Sequence, residues 1–254
     1  WASLLTKNTL LANHQGTTIT GISNPTTGDT VAAYAALSAN ITATYNGKLN
    51  AAGSGSDSSV SSVTTTAWNT SAVLTKTITF PSRNELRYFF NAGGMIRCSW
   101  SRTGGTTSSQ NTAWTDTLTA AGSIVLTSDG ASKTIAGVTY TGTTKIGGSG
   151  TNQILLTANG IYDVASTPAI YFKQIPPSGY GDNEIEYSLS IPVGGTVLTV
   201  YTDLSDDYTP PDPGSPDLVD GTLTQTLIVR LPSTTYLADT WGTPTISSNS
   251  WVQT

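Results

Sequence analysis

Phe80-Pro81-Ser82-Arg83-Asn84-Glu85-Leu86-Arg87-Tyr88-Phe89-Phe90-Asn91-Ala92-Gly93-Gly94-Met95-Ile96-Arg97-Cys98-Ser99-Trp100 changes its hydrophobic period midway, and that change decides how the chain is read. Ser82 followed by Glu85 has the form of a capping box, in which each residue satisfies an amide that the helix start leaves unpaired. Leu86, Phe89 and Phe90 then share one helical face. Gly93-Gly94 stops the helix, because glycine alone enters the left-handed region without a Cβ penalty. From Ile96 the period becomes two: Ile96, Cys98 and Trp100 alternate with Arg97, Ser99 and Ser101, the mark of a half-buried strand. Residues 78–102 therefore read as strand, short helix, glycine turn, strand.

Working outward, 73–80 reads as the preceding strand. A second short helix fits 110–121, with Trp114, Leu118 and Ala121 on one side and Gly122 ending it. Strands are expected at 124–126, 134–140, 153–156 and 169–173. Ile185, Tyr187, Leu189 and Ile191 alternate with Glu184, Glu186, Ser188 and Ser190, Gly194-Gly195 turns the chain, and 196–201 returns. Leu223, Gln225, Leu227, Val229 and Leu231 share one face of a long final strand. Gly147-Gly148-Ser149-Gly150 lacks the lysine of a phosphate-binding loop and reads as a turn. Strands this frequent, punctuated by glycine, predict a mainly β chain: a β-sandwich-like body with a few short helices.

Toward the N-terminus, Val31, Tyr34, Ser38, Ile41, Tyr45 and Leu49 recur at spacings of three, four or seven, which predicts a helix over 30–51 capped by Asp29 or Thr30. Gly53-Ser54-Gly55-Ser56-Asp57-Ser58-Ser59 has linker composition. The expected organisation is a partly helical docking segment at 1–52, a flexible Gly/Ser/Thr linker at 53–71 and a β-rich globular domain at 72–254. The chain opens at Trp1 and its only methionine is Met95, so it reads as a processed or partial product.

Of the 254 residues only 11% are charged, well below the usual quarter, and Thr, Ser, Gly and Asn take their place. The net charge of −5 comes without a basic stripe, which argues against nucleic acid as a partner. Arg83, Arg87, Arg97 and Arg102 surround Glu85, so local pairing and surface solvation are expected of them. No run reaches the roughly 20 apolar residues of a membrane-spanning helix.

Chemistry-bearing residues are few. His14 and Cys98 are the only ones of their kind, so a nucleophile–base pair would have to use His14. Cys98 alternates inward as a small buried hydrophobe, and His14 reads as a surface histidine. Glu184 and Glu186 share one strand face, the only carboxylate pair with the proximity that glycoside hydrolysis needs, and that face is expected to be solvated. Asp203, Asp206, Asp207, Asp212, Asp217 and Asp220 crowd 201–221 among Pro210, Pro211, Pro213 and Pro216. Several carboxylates on a stiffened loop suit a structural Ca²⁺ ion, and such a loop also suits contact with a neighbouring subunit. No catalytic residues are expected.

The stretch from Thr79 to Arg97 resembles a block that recurs in virion structural proteins of tailed bacteriophages, where a helix ending R-Y-F-F-N-A/S-G-G leads into a strand I-R-x-S-x-S and a turn R-T/S-G-G. The corresponding residues here are Arg87-Tyr88-Phe89-Phe90-Asn91-Ala92-Gly93-Gly94, Ile96-Arg97-Cys98-Ser99-Trp100-Ser101 and Arg102-Thr103-Gly104-Gly105. Gln110-Asn111-Thr112-Ala113-Trp114 is similar to the family's N-x-x-W segment, and Gly122-Ser123-Ile124 to its G-x-I strand. Ile41-Thr42-Ala43, Thr66-Ala67-Trp68-Asn69 and Val219-Asp220-Gly221-Thr222-Leu223 are looser matches. The resemblance is sharp over about 79–126 and diffuse elsewhere; Cys98 and Trp100 depart from it, standing where small or polar residues are commoner.

The resemblance implies a non-enzymatic component of the virion, in its tail, fibres or baseplate, assembled in the host cytoplasm and working by self-association and by docking to other phage tail proteins. Low charge lowers the desolvation cost of such interfaces, and a homo-oligomer is expected. Three other readings compete: a host-surface glycan receptor-binding domain, with Trp68, Trp100, Trp114, Trp241 and Trp251 as a stacking platform; a polysaccharide depolymerase using Glu184 and Glu186; and a bacterial surface adhesin.

Overall fold

The structure, a computed structural model, describes residues 1–24, 26–27, 31–177, 179–207, 218–239 and 241–254, residues 31–33 by backbone alone. The chain begins with two helices, α1 (Ala2–Gln15) and α2 (Val31–Asn46), and continues through β1 (Ser54–Thr64) and β2 (Ser71–Thr79). Next come α3 (Arg83–Asn91), β3 (Met95–Thr103), α4 (Ser109–Ala121), β4 (Ser123–Leu126), β5 (Lys133–Ile135), β6 (Val138–Tyr140), β7 (Thr143–Ile146) and β8 (Asn152–Leu155). A 3₁₀ turn (Ile161–Asp163) precedes β9 (Ala169–Gln174), β10 (Glu184–Ser190), β11 (Val197–Ser205), β12 (Thr222–Pro232), β13 (Thr245–Ser248) and β14 (Val252–Gln253).

All strands but β5 and β6, which pair with each other, form two facing antiparallel sheets, so the body is mainly β and sandwich-like. One sheet is five-stranded in the order β1-β12-β3-β4-β7; the other is seven-stranded in the order β13-β2-β11-β10-β9-β8, with β14 also on β2. Between them lie the inward residues of each alternation: Ile96, Cys98 and Trp100 of β3, Leu223, Leu227 and Val229 of β12, Leu74 and Ile78 of β2, Ile185, Tyr187 and Leu189 of β10, and Leu198, Val200 and Leu204 of β11. Trp100 stacks on Phe172 and meets Tyr187 edge-on, joining the sheets through aromatic contact.

The interior also carries a polar seam. Trp100 Nε1 donates to Thr202 Oγ1 at 3.1 Å, Gln225 Nε2 donates to the same oxygen at 2.6 Å, and the fully buried Lys76 donates to the carbonyls of Val60 at 2.7 Å and Gln225 at 3.0 Å. These bonds run between sheets and satisfy groups that would otherwise be costly to bury.

The period switch at 80–100 is realised as read. Ser82 caps α3, its side chain accepting from the amides of Asn84 (3.2 Å) and Glu85 (3.3 Å), and Leu86, Phe89 and Phe90 are buried. The reciprocal half of the capping box is missing: Glu85 Oε2 is buried without a partner. Gly93 has φ +93°, and a Cβ on Gly94 would lie 2.6 Å from the Phe89 ring, so both glycines are required there.

Other expectations need correction. Residues 54–64, read as part of a flexible linker, form β1, an edge strand paired with β12 from Ser54↔Pro232 to Thr64↔Leu223. The stretch 134–140 is a hairpin rather than one strand, because Ala136 (φ 49°) and Gly137 (φ 79°) make a two-residue turn between β5 and β6. The strand β12 is followed by β13 and β14 and so is not the last.

The helix α2 forms near where it was expected, but with its faces exchanged. Leu37, Asn40 and Thr44 point inward, while Tyr34, Ile41 and Tyr45 are exposed. Asn40 fixes that orientation by accepting from Thr20 N (3.0 Å) and donating to Thr20 O (2.8 Å). The proposed cap residues Asp29 and Thr30 lie outside the described residues. The segment 1–52 joins the body where Ala51 pairs with the β5–β6 hairpin and enters a small second core with Met95, Val125, Ile135 and Tyr140.

Candidate functional site

A groove of about 480 Å³ lies between α3, the 3₁₀ turn and the loop 191–196 joining β10 to β11. Burial of Leu86, Phe89 and Phe90 turns the opposite stripe of α3 outward, and Arg83 and Arg87, four residues apart, lie together on it. Both arginines are exposed, and neither forms an ion pair with a described residue. The second wall is Tyr162, whose hydroxyl lies 2.7 Å from Asn91 Oδ1 and 3.2 Å from the Arg87 carbonyl. Burial pushes its phenol up to about 12, opposed by the nearby Arg87 guanidinium. The third wall is apolar: Ile191, Pro192 and Val193, with Val193 93% exposed at the tip of the turn. Guanidinium groups beside an exposed aliphatic rim can bind a carboxylate-bearing surface.

Glu184 and Glu186 lie on one face of β10, as the alternation requires, but they are half-buried rather than freely solvated. Both pair with Lys173 of β9, Glu186 at 3.2 Å. Asp203 of β11 stands directly opposite Glu186, and burial, then the charges of Glu186 and Glu184, holds its carboxyl above the usual range. One lysine thus serves both glutamates, and Asp203 is not paired with it.

The aspartates of the 203–220 segment are divided among separate environments. Asp206 is buried and accepts from Gln110 and, at 3.2 Å, from Trp114 Nε1, both on α4. With its nitrogen toward that carboxylate, the Asn183 amide donates to Asp206 Oδ1 at 2.7 Å. Asp220 accepts from Asn111, from Thr106 N at 3.0 Å and from Arg102 at 3.4 Å; the Thr106 amide is the first cause holding its carboxyl below the ordinary value. Asp206 and Asp220 therefore pin the two ends of the crossover between the sheets to the first turns of α4. Asp207 is exposed, and Asp212 and Asp217 lie outside the described residues. Among the described residues no group of three or more His, Cys, Asp or Glu side chains is placed to hold a metal ion.

His14, expected at the surface, is buried and its Nε2 bonds the Ala92 carbonyl at 3.0 Å; burial lowers its pKa. Cys98 is buried between the sheets as read, and burial pushes its thiol up. Trp68, Trp100, Trp114, Trp241 and Trp251 are all buried, so they form core and not a sugar-stacking platform. Of the four arginines expected to pair locally, Arg102 pairs with the distant Asp220, while Arg83 and Arg87 stay free of Glu85. The groove escaped the sequence reading because its walls come from three separated segments; the spacing of Arg83 and Arg87 opposite Leu86 and Phe90 is the one local signal. The chain matches no protein family, no curated protein and no solved structure.

Proposed function

We propose that this chain is a structural component of a tailed bacteriophage virion, in its tail, fibres or baseplate, acting by self-association and by docking to neighbouring particle proteins. The observation that carries the proposal is the outward face of the N-terminal helices. Leu4, Leu10 and Leu11 of α1 and Tyr34, Ile41 and Tyr45 of α2 are all 40% or more exposed. Solvent-facing apolar residues concentrated on one short segment mark a surface that a partner covers. The resemblance of 79–126 to virion structural proteins supports the same reading, and that stretch holds the capped helix α3 and the central strand β3.

The surroundings of the chemistry-bearing residues favour this over catalysis. Cys98 and His14 are buried in structural roles, and Glu184 and Glu186 share a lysine on a sheet face. A receptor-binding domain would have to use a surface other than the five buried tryptophans. The test is mass spectrometry of gradient-purified particles of the phage that encodes the sequence: its peptides are expected at a fixed ratio to known tail proteins. Their presence in infected-cell lysate but not in particles would overturn the proposal.

A further inference from the structure

The β10–β11 hairpin has chemically opposite ends. At its turn lies the groove with Arg83, Arg87 and the projecting Val193. At its open end, where Glu184 pairs with Ser205, the exposed Asp182 and Asp207 flank Glu184, Glu186 and Asp203, and among the described residues Lys173 is the one cation there, paired with the two glutamates. Seven residues of strand separate the two ends, about 20 Å at roughly 3.4 Å per residue. Among the described residues the arginines of the cationic end have no ion partner, and the anionic end has more carboxylates than its lysine can neutralise.

We infer that these two ends meet between copies of this chain, the Arg83–Arg87 groove of one copy receiving the Asp182/Asp207 end of the next. The occupant follows from charge complementarity. Each end supplies what the other lacks, and in a chain of net charge −5 a contact between arginines and carboxylates offsets the repulsion between copies. The exposed Val193 rim adds apolar contact that makes the encounter more than a salt effect. A surface meeting a different surface is a head-to-tail contact, which closes into a ring or continues as a stack, according to the rotation between copies. The inference rests on the proposed self-association and assigns its contact.

Sedimentation velocity on the full chain tests it, using two variants confined to exposed residues: Arg83→Glu with Arg87→Glu, and Asp182→Lys with Asp207→Lys. At an ionic strength of about 0.01 M, where charges act over roughly 30 Å, the parent chain is expected to associate, and added salt to weaken it. Each variant alone is expected to associate at least roughly tenfold more weakly, and an equimolar mixture of the two to recover association, since each then offers the end the other needs. Variants that associate as the parent does would overturn the contact while leaving self-association intact. A mixture that fails to recover would also overturn it. A parent chain that stays monomeric up to its solubility limit would overturn both contact and free self-association, and the peptide content of purified particles would still decide the virion role separately.

Discussion

Lys76, on the seven-stranded sheet, reaches across the core to donate to the main-chain carbonyl of Gln225 on the five-stranded sheet, 3.0 Å away, with no part of its side chain exposed. A second bond to the Val60 carbonyl, 2.7 Å, ties the edge strand β1 to the same amine. Truncation by Lys76→Ala removes both bonds and opens a cavity, and is expected to cost about 3–5 kcal/mol in denaturant unfolding. Lys76→Met keeps the volume and discards the buried charge, so it is expected to stay within about 2 kcal/mol of the parent.

The same amine gives a pH signature. Burial lowers its pKa from 10.5 to about 8. Between those values the unfolded chain holds a proton that the folded chain has shed, so this group's contribution to stability grows as pH rises through about 8. The window from about 8 to 9 reads it best, because above that the buried Cys98 thiol acts in the opposite sense. Chemical denaturation across this window should show the rise in the parent and its absence in Lys76→Met.

Asp206 joins the start of the inter-sheet crossover to α4 through Gln110 and Trp114, and also holds Asn183. Asp206→Ala removes the acceptor of the Asn183 amide and leaves Gln110 and Trp114 only the Asn183 oxygen, and is expected to cost roughly 1–3 kcal/mol. Near-ultraviolet circular dichroism, which reads the packing of Trp114, should change with it. Asp206→Asn keeps one acceptor oxygen and should cost less.

Two carboxylates in the same region should respond to acid in opposite ways. The Asp220 carboxyl titrates below its ordinary value, so its stabilising contribution is present above about pH 4 and lost as pH falls through its folded pKa. Asp220→Asn should therefore flatten the acid limb of the stability profile. Asp203 titrates above its ordinary value because it is partly buried opposite Glu186, so its ionisation destabilises the fold as pH rises past about 4. Asp203→Asn should stabilise the chain at pH 7 by roughly 0.2–1 kcal/mol, the scale of cross-strand pair effects.

The cap of α3 rests on Ser82 alone, since Glu85 returns no bond. Ser82→Ala is expected to cost about 1 kcal/mol, whereas Glu85→Ala should not weaken the cap. Thermal unfolding of the two variants distinguishes this from a reciprocal box.

Elements whose own side chains supply their burial were legible in the sequence. The Leu86, Phe89 and Phe90 stripe and the Ile96, Cys98 and Trp100 alternation each contain their structure locally. β1 does not: its residues are mostly serine and glycine, and what makes it a strand is the ladder with β12, some 170 residues away in sequence. The sides of α2 were exchanged because periodicity identifies an apolar stripe without saying what covers it, and Asn40 with Thr20 settles the orientation. His14 looked superficial among polar neighbours until the Ala92 carbonyl supplied its partner across 78 residues. The groove was invisible for the same reason, having walls at 83–91, 161–166 and 191–195. The aspartates of 203–220 read as one acidic group; the fold divides those described between the sheet face and the clamp on α4.

The most direct measurement of the virion role is immunogold electron microscopy of purified phage particles with antibodies raised against this chain. Gold confined to one position on the tail, fibres or baseplate is the predicted result. Intact particles that stay unlabelled before and after mild disruption, while infected-cell extract reacts, would contradict it.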